Sequence, residues 1–269
     1  MFALSAGFGA LAQAPEVVEA SPSAPYAMST TLEGAVGLSL GYQPEVAGGR
    51  RGSLSATPSI FLRYGRFTLT NAPGFSTRRS DDVAVGLGFE LVREDRLRAN
   101  LSLRFDEGRK ESSRAAYAGL GNVRPTLRMR AAASWRIEGP WRVAAAWDVD
   151  SLGRGGGNTL DFSASWDQAV ARATALTLGA SAGVGSSRYM QTYFGVNEEQ
   201  SVRSGYRVYH PGAGVRDAGL YAALRRDVTR EWIWLAGASA SRLLGSAAAS
   251  PITRHRNGWG LSTGLAWTF

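Results

Sequence analysis

Residues 127–149 read LRMRAAASWRIEGPWRVAAAWDV, and this stretch decides the fold. Leu127, Met129, Ala131, Ala133, Trp135 and Ile137 alternate with Arg128, Arg130, Ala132, Ser134 and Arg136. After Glu138-Gly139-Pro140 the pattern resumes, with Trp141, Val143, Ala145, Trp147 and Val149 set against Arg142, Ala144, Ala146 and Asp148. A period of two puts neighbouring side chains on opposite faces of a strand, which no helix does. Two such runs joined by a Gly-Pro turn predict an antiparallel hairpin with one apolar face and one charged face.

Working outward, the same alternation recurs. Val83, Val85, Leu87, Phe89 and Leu91 interleave with Ala84, Gly86, Gly88 and Glu90. Leu97, Ala99, Leu101, Leu103 and Phe105 interleave with Arg98, Asn100, Ser102 and Arg104. The whole chain reads as twelve strands near 30–42, 56–64, 66–71, 82–92, 97–106, 124–137, 141–150, 157–166, 173–185, 214–228, 231–243 and 258–269. Short links fall at Gly65, Glu94-Asp95, Glu138–Pro140, Asp167–Arg172 and Thr229-Arg230. Longer ones take 43–55, 72–81, 107–123, 151–156, 186–213 and 244–257.

A soluble β-sandwich alternates too, so alternation alone leaves the class open. Two features decide. Tyr42, Phe67, Trp135, Trp141, Trp166, Trp232, Trp259 and Trp267 stand at segment ends on the apolar face, as the aromatic girdles of a membrane barrel do. The links alternate short and long, the asymmetry of periplasmic turns and outer loops. The expected fold is therefore all-β: a transmembrane antiparallel up-and-down barrel over 30–269, in the outer membrane of a Gram-negative envelope and in contact with its lipid and lipopolysaccharide. Closure follows from physics, because an unpaired backbone group in hydrocarbon costs several kcal/mol and a sheet there can leave no edge.

Composition agrees. No run of about 18 apolar residues occurs, yet 44% of the 269 residues are hydrophobic and 10% aromatic, so apolar surface is spread over short segments. Cysteine is absent, as suits an oxidising periplasm. Met1 to Ala14 form an apolar stretch ending in Ala12-Gln13-Ala14 before Pro15, read as a partial signal peptide, and 15–29 as a periplasmic tail. The last strand runs Trp259, Leu261, Thr263, Leu265, Trp267, Phe269. A terminal Phe269 on an alternating strand resembles the signal read by the barrel-assembly machinery.

The formal charge of +8 admits a nucleic-acid binder. The arginines, however, alternate with membrane-facing residues and form no aromatic-interleaved stripe, so nucleic acid is excluded and the lumen is their expected place. Arg98, Arg104, Arg128, Arg130, Arg136, Arg142, Glu90 and Asp148 are the candidate lumen-lining set. Arg128, Arg130, Arg136 and Arg142 are expected to pair with Glu90, Asp148, Asp150 and Asp161 across neighbouring strands. Catalysis finds no support: the two histidines, His210 and His255, fall in outer loops, no metal-ligand spacing or Ser/His arrangement appears, and no cofactor is expected. Gly153-Arg-Gly-Gly-Gly157 lacks the lysine and helix of a phosphate loop and reads as a turn. In 186–213, Tyr193, Phe194, Tyr206 and Tyr209 are candidates for loop contact with a partner, or for an inward plug.

These residues carry a family resemblance. Tyr193-Phe194-Gly195-Val196, Ser204-Gly205-Tyr206, Gly212 to Asp217, Ser241 to Gly245 and Ser250-Pro251-Ile252 resemble the MipA/OmpV family of MltA-interacting outer-membrane proteins. Gly108-Arg109 and Gly119 to Val123 resemble its middle segment. The region Gln43 to Gly49 departs from the family's Pro-Tyr-Glu-Gly-Ser-like stretch. The resemblance implies a non-catalytic scaffold that joins an MltA-like lytic transglycosylase to a bifunctional penicillin-binding protein in peptidoglycan metabolism. The alternative readings are a porin-like channel for small solutes with an Arg-lined lumen, and a loop-mediated adhesin.

Overall fold

A computed structural model describes residues 31–44, 52–72 and 85–269. The expected signal peptide and tail, Val83 and Ala84 of the expected fourth strand, and most of the divergent 43–49 stretch lie outside them. Twelve antiparallel strands close into one barrel in which every strand pairs with its chain neighbours and the first pairs with the last. They are β1 Leu32–Pro44, β2 Gly52–Tyr64, β3 Phe67–Thr70, β4 Gly86–Arg93, β5 Leu97–Asp106, β6 Thr126–Arg136, β7 Trp141–Asp150, β8 Asn158–Ala171, β9 Thr174–Gly185, β10 Gly214–Asp227, β11 Trp232–Leu243 and β12 Asn257–Thr268.

The seam runs from Ala35 opposite Thr268 to Tyr42 opposite Leu261. It ends in a reciprocal backbone pair, Gly34 N–H to Phe269 O at 3.0 Å and Phe269 N–H to Gly34 O at 2.9 Å. The Phe269 ring stacks on Trp267, 5.1 Å between centroids, and lies where a Gly34 side chain would be. A glycine at 34 is thus what lets the terminal ring seat.

Alternation sorts side chains as period two demands. Leu87, Leu178, Leu220, Phe162 and Leu261 project outward and stay exposed, Leu220 to 66%, which only a lipid solvent makes favourable. Residues of the opposite parity on the same wall, Ser102, Ser134, Thr177 and Asp148 among them, are buried inside. The outer aromatics are unevenly divided: Tyr64, Phe67, Trp135, Trp141, Trp232 and Trp267 crowd the short-turn end, while Tyr42 and Trp259 pair at 5.4 Å near the loop end.

The strand limits depart from expectation in three places. β1 and β2 stay paired out to Pro44 and Gly52, so the link predicted over 43–55 is shorter. β4 begins only at Gly86, opposite Thr70, because β3 has four residues and offers nothing further to pair with. β8 runs to Ala171, through the predicted turn 167–172, because Asp167 continues the inward polar series of Ser163 and Ser165 and accepts from Thr177 Oγ1 at 2.7 Å. The reversal falls instead on Arg172-Ala173, with Ala173 in the left-handed region at φ 64°. Where β3 ends, Asn71 acts as a surrogate strand: its Oδ1 accepts from Ile60 N–H and its Nδ2 donates to Pro58 O, both at 2.8 Å.

Candidate functional site

The lumen has two unlike sectors. On β1, β2, β11 and β12 the inward residues, Glu33 and Arg63 apart, are small or apolar, and Ala35, Phe61, Ile233 and Ala266 pack with Ala72 and Leu235. From β4 round to β10 arginines and carboxylates join serines and threonines on the inward face. Burying a lone charge costs several kcal/mol, so these must pair.

They do so as a ladder. Glu90 receives Arg63 at 3.0 Å and Arg93 at 3.3 Å. Arg128 bonds Asp106 through Nε, and Arg130 bonds Asp148. Arg130 also lies 3.9 Å from Asp161, and Arg104 lies 4.0 Å from Asp148. Arg216 reaches Asp161 at 3.0 Å and also Asp217. Arg142 meets Asp167 at 3.2 Å, and Arg225 meets Asp227 at the same distance. A bulge between Val215 and Asp217 makes the Arg216 pair possible: it turns both Arg216 and Asp217 inward, where a regular strand would send one to lipid.

Loops roof the outer ends of β5 to β12. The link 186–213 folds as α1, Ser187–Phe194, and α2, Glu198–Ser204. Ser186 caps α1 by accepting from Tyr189 N–H, and Asn197 with Gln200 forms a reciprocal capping box on α2. Met190 of α1 is fully buried. The Tyr189 ring lies between two guanidiniums, Arg128 at 5.8 Å and Arg216 at 5.5 Å. Burial pushes the phenols of Tyr189 and Tyr193 above their ordinary range.

The roof is tied down by backbone acceptors. Arg128 donates to Gly156 O at 3.1 Å and to Tyr193 Oη at 3.3 Å, and Thr192 donates to Gly155 O at 2.6 Å. Gly157 sits at φ +61°, and a Cβ there would meet the Tyr189 backbone at 2.3 Å, so the glycine-rich 153–157 turn is a packing device. Leu120, Val196 and Ile252, from three different loops, form a common core with Tyr117, Tyr206 and Tyr209. Gln200 Nε2 donates to Leu120 O at 2.6 Å, joining the 186–213 link to the 107–123 loop across the β7–β8 turn. On the other side Ser250 donates to Phe194 O at 2.6 Å, bringing in α3, Gly245–Ala248, and its loop.

Among the lumen candidates, Glu90, Arg104, Arg128, Arg130, Arg142 and Asp148 enter the ladder. Arg98 faces inward opposite Ser134. Arg136 lies directly across from Arg142, close enough to act on the same Asp167 carboxylate. The expected partners need correction. Glu90 serves Arg63 and Arg93, because they, and not the β6 arginines, flank it. Asp150 accepts from Thr126 and from Gly156 N–H at 2.8 Å. Sequence reasoning missed Arg63, Arg216, Arg225, Asp106 and Asp217.

Three of the four loop aromatics turn their hydroxyls into the roof, and the fourth is tied to it through its backbone. Tyr193 binds Arg128, Tyr206 Oη donates to Ala116 O at 3.3 Å, Tyr209 Oη donates to Ser246 O at 2.8 Å, and the Phe194 carbonyl accepts from Ser250. Among the described residues no group of three or more His, Cys, Asp or Glu is placed to hold a metal ion. His210 and His255 are both exposed.

A closed twelve-strand antiparallel cylinder with an apolar exterior, aromatic ends and a charged interior defines an outer-membrane-type β-barrel. The profile of the MltA-interacting protein MipA family matches residues 36–269, and the chain belongs to that family. No curated protein matches the sequence. Among solved structures it is similar to the outer membrane channel DcaP of Acinetobacter baumannii, at 8% identity and TM-score 0.43, over 89% of this chain and 96% of that one. It is also similar to the anion-selective porin from Comamonas acidovorans, at 9% identity and TM-score 0.37, over 89% and 99%.

Proposed function

We propose that this protein is a non-catalytic outer-membrane scaffold for peptidoglycan-processing enzymes, docking an MltA-like lytic transglycosylase and, with it, a bifunctional penicillin-binding protein. The carrying observation is the roof. Three loops share one apolar core over the outer ends of β5 to β12, and beneath them the arginines are committed to carboxylates. A lumen roofed over this sector is suited to holding partners rather than passing solutes. The family's name supplies the partner.

Murein enzymes work in the periplasm, so the docking face is the short-turn end. It presents Arg66, Glu94, Asp95, Arg96, Glu138, Arg172, Arg230 and Glu231, all exposed. Affinity capture from detergent-solubilised envelopes should recover a transglycosylase with the wild-type barrel, and lose it when the turn charges are reversed. Recovery of neither a transglycosylase nor a synthase would refute the proposal.

A porin-like channel is the second reading, favoured by the partial solvent exposure of Arg93, Arg104 and Arg130, at 25%, 33% and 23% of their side chains. It requires steady, anion-preferring conductance in planar bilayers. A silent bilayer removes it.

A further inference from the structure

Arg109 stands apart from every other buried arginine described above. It is only 3% exposed, and its Nε and Nη1 are buried with no acceptor among the described residues. No ion pair reaches it there, whereas Arg63, Arg128 and Arg216, buried to a similar degree, each hold a carboxylate.

The loop fixes it in place. Gly108, at φ +70°, turns the chain and donates its N–H to Asp106 Oδ1 at 2.9 Å. Arg109 and Val123 then exchange backbone hydrogen bonds at 3.1 and 2.8 Å. The Tyr117 ring lies 5.2 Å from the guanidinium carbon. The nearby carboxylates are engaged elsewhere: Asp106 with Arg128 and the Gly108 amide, Glu111 with the Gly119 amide at 2.5 Å. Burial pulls the Arg109 guanidinium below its ordinary range, although Tyr117, Tyr193 and Glu111 oppose that shift.

A buried guanidinium without an acceptor is costly, and a rigid planar donor set with no acceptor matches the geometry of a carboxylate or phosphate. We propose that Arg109 is the charge-neutralising residue of a site for a small soluble oxyanion, enclosed between the 107–123 loop and α1 beneath the roof. Leu120 of this loop packs on Val196 and accepts from Gln200 Nε2, and Tyr193 of α1 lies near enough to act on the Arg109 guanidinium. The inference does not depend on the scaffold reading, since an occupied site serves a sealed barrel and a conducting one alike.

The test uses the full-length protein refolded in detergent without lipopolysaccharide. Thermal unfolding is followed while chloride is replaced by phosphate or acetate at constant ionic strength. Wild type should gain midpoint temperature along a saturating curve with at least one of the two anions, as linkage requires of a ligand bound only to the folded state. Arg109→Gln should remove that response, and Arg109→Lys should weaken it. An equal response in Arg109→Gln, an adventitious ion only, overturns the proposal, as does a flat response in wild type. If Arg109→Gln fails to fold, wild type labelled with 15N-arginine decides. A buried Nε–H resonance must shift on phosphate or acetate titration, and resonances that all stay fixed overturn the site.

Discussion

Arg216→Met removes the arginine that joins two ladder carboxylates and supports Tyr189. Methionine keeps much of the stem volume, so the change is mainly electrostatic. Breaking a buried pair by deleting one partner costs about 3–5 kcal/mol, because the remaining charge stays buried. Asp161 keeps Arg130 at 3.9 Å and is 22% exposed at its side chain. Asp217 has no other ion-pair partner among the described residues and is 11% exposed. The relief at Asp161 places the expected loss at the lower end, about 3 kcal/mol. Losing the contact with the buried Tyr189 ring adds about 1–2 kcal/mol.

Urea unfolding in detergent, read by tryptophan fluorescence and by heat-dependent gel mobility, measures the loss. Arg216→Met/Asp217→Asn should recover part of it, since the orphaned charge is gone, and the 186–213 link should become more susceptible to protease in the single variant. A loss below about 1 kcal/mol, with no coupling to Asp217, would mean that the ladder is solvated like a surface pair and would refute the reasoning.

Three further outcomes are expected. Leu220→Arg, on the outward face midway along β10, should cost about 2–4 kcal/mol, and Val228→Arg at the turn end under about 1 kcal/mol; urea titrations giving equal costs would refute the lipid belt. Gly157→Ala should destabilise by about 1–3 kcal/mol, because φ +61° and the Tyr189 backbone both oppose a Cβ, with protease cleavage of 186–213 as the local readout. Deleting Phe269 should lower the amount of folded barrel in outer-membrane fractions, while a Phe269→Trp barrel should accumulate nearly as wild type.

All twelve strands were legible because two solvents impose the period of two on the whole wall. Leu127–Ile137 and Trp141–Val149 announce it residue by residue. The ion pairs were not legible, because partners across a barrel depend on register, shear and bulges. Which carboxylate meets Arg130 follows from Arg130 facing Asp148, a relation absent from either segment alone. One clue existed: Arg216-Asp217, two adjacent charges where alternation allows one, is the mark of the bulge.

The roof helices escaped because they are seven and eight residues long, too short for a periodic signal. Their ends were readable, since Asn197 and Gln200 have the spacing of a capping box. Tyr193, Tyr206 and Tyr209 stand out in the sequence as loop aromatics, but that their hydroxyls bind inward depends on how three loops meet. Arg109 shows in the sequence only as part of the family-like Gly108-Arg109 pair, since its singularity lies in what fails to surround it.

The Gly34–Phe269 pair also governs how this molecule comes into being. Every other strand pairing joins neighbours in the chain and can zip as a hairpin. The β1–β12 pairing alone joins strands distant in the chain, so each of its contacts adds far more to the contact order than a hairpin contact does, and it waits until β12 has been synthesised. Until then β1 exposes an unsatisfied row of amides and carbonyls, an invitation to aggregation. Insertion is therefore expected to be post-translational and all-or-none, with an unclosed intermediate that only a holdase or an insertase keeps alive.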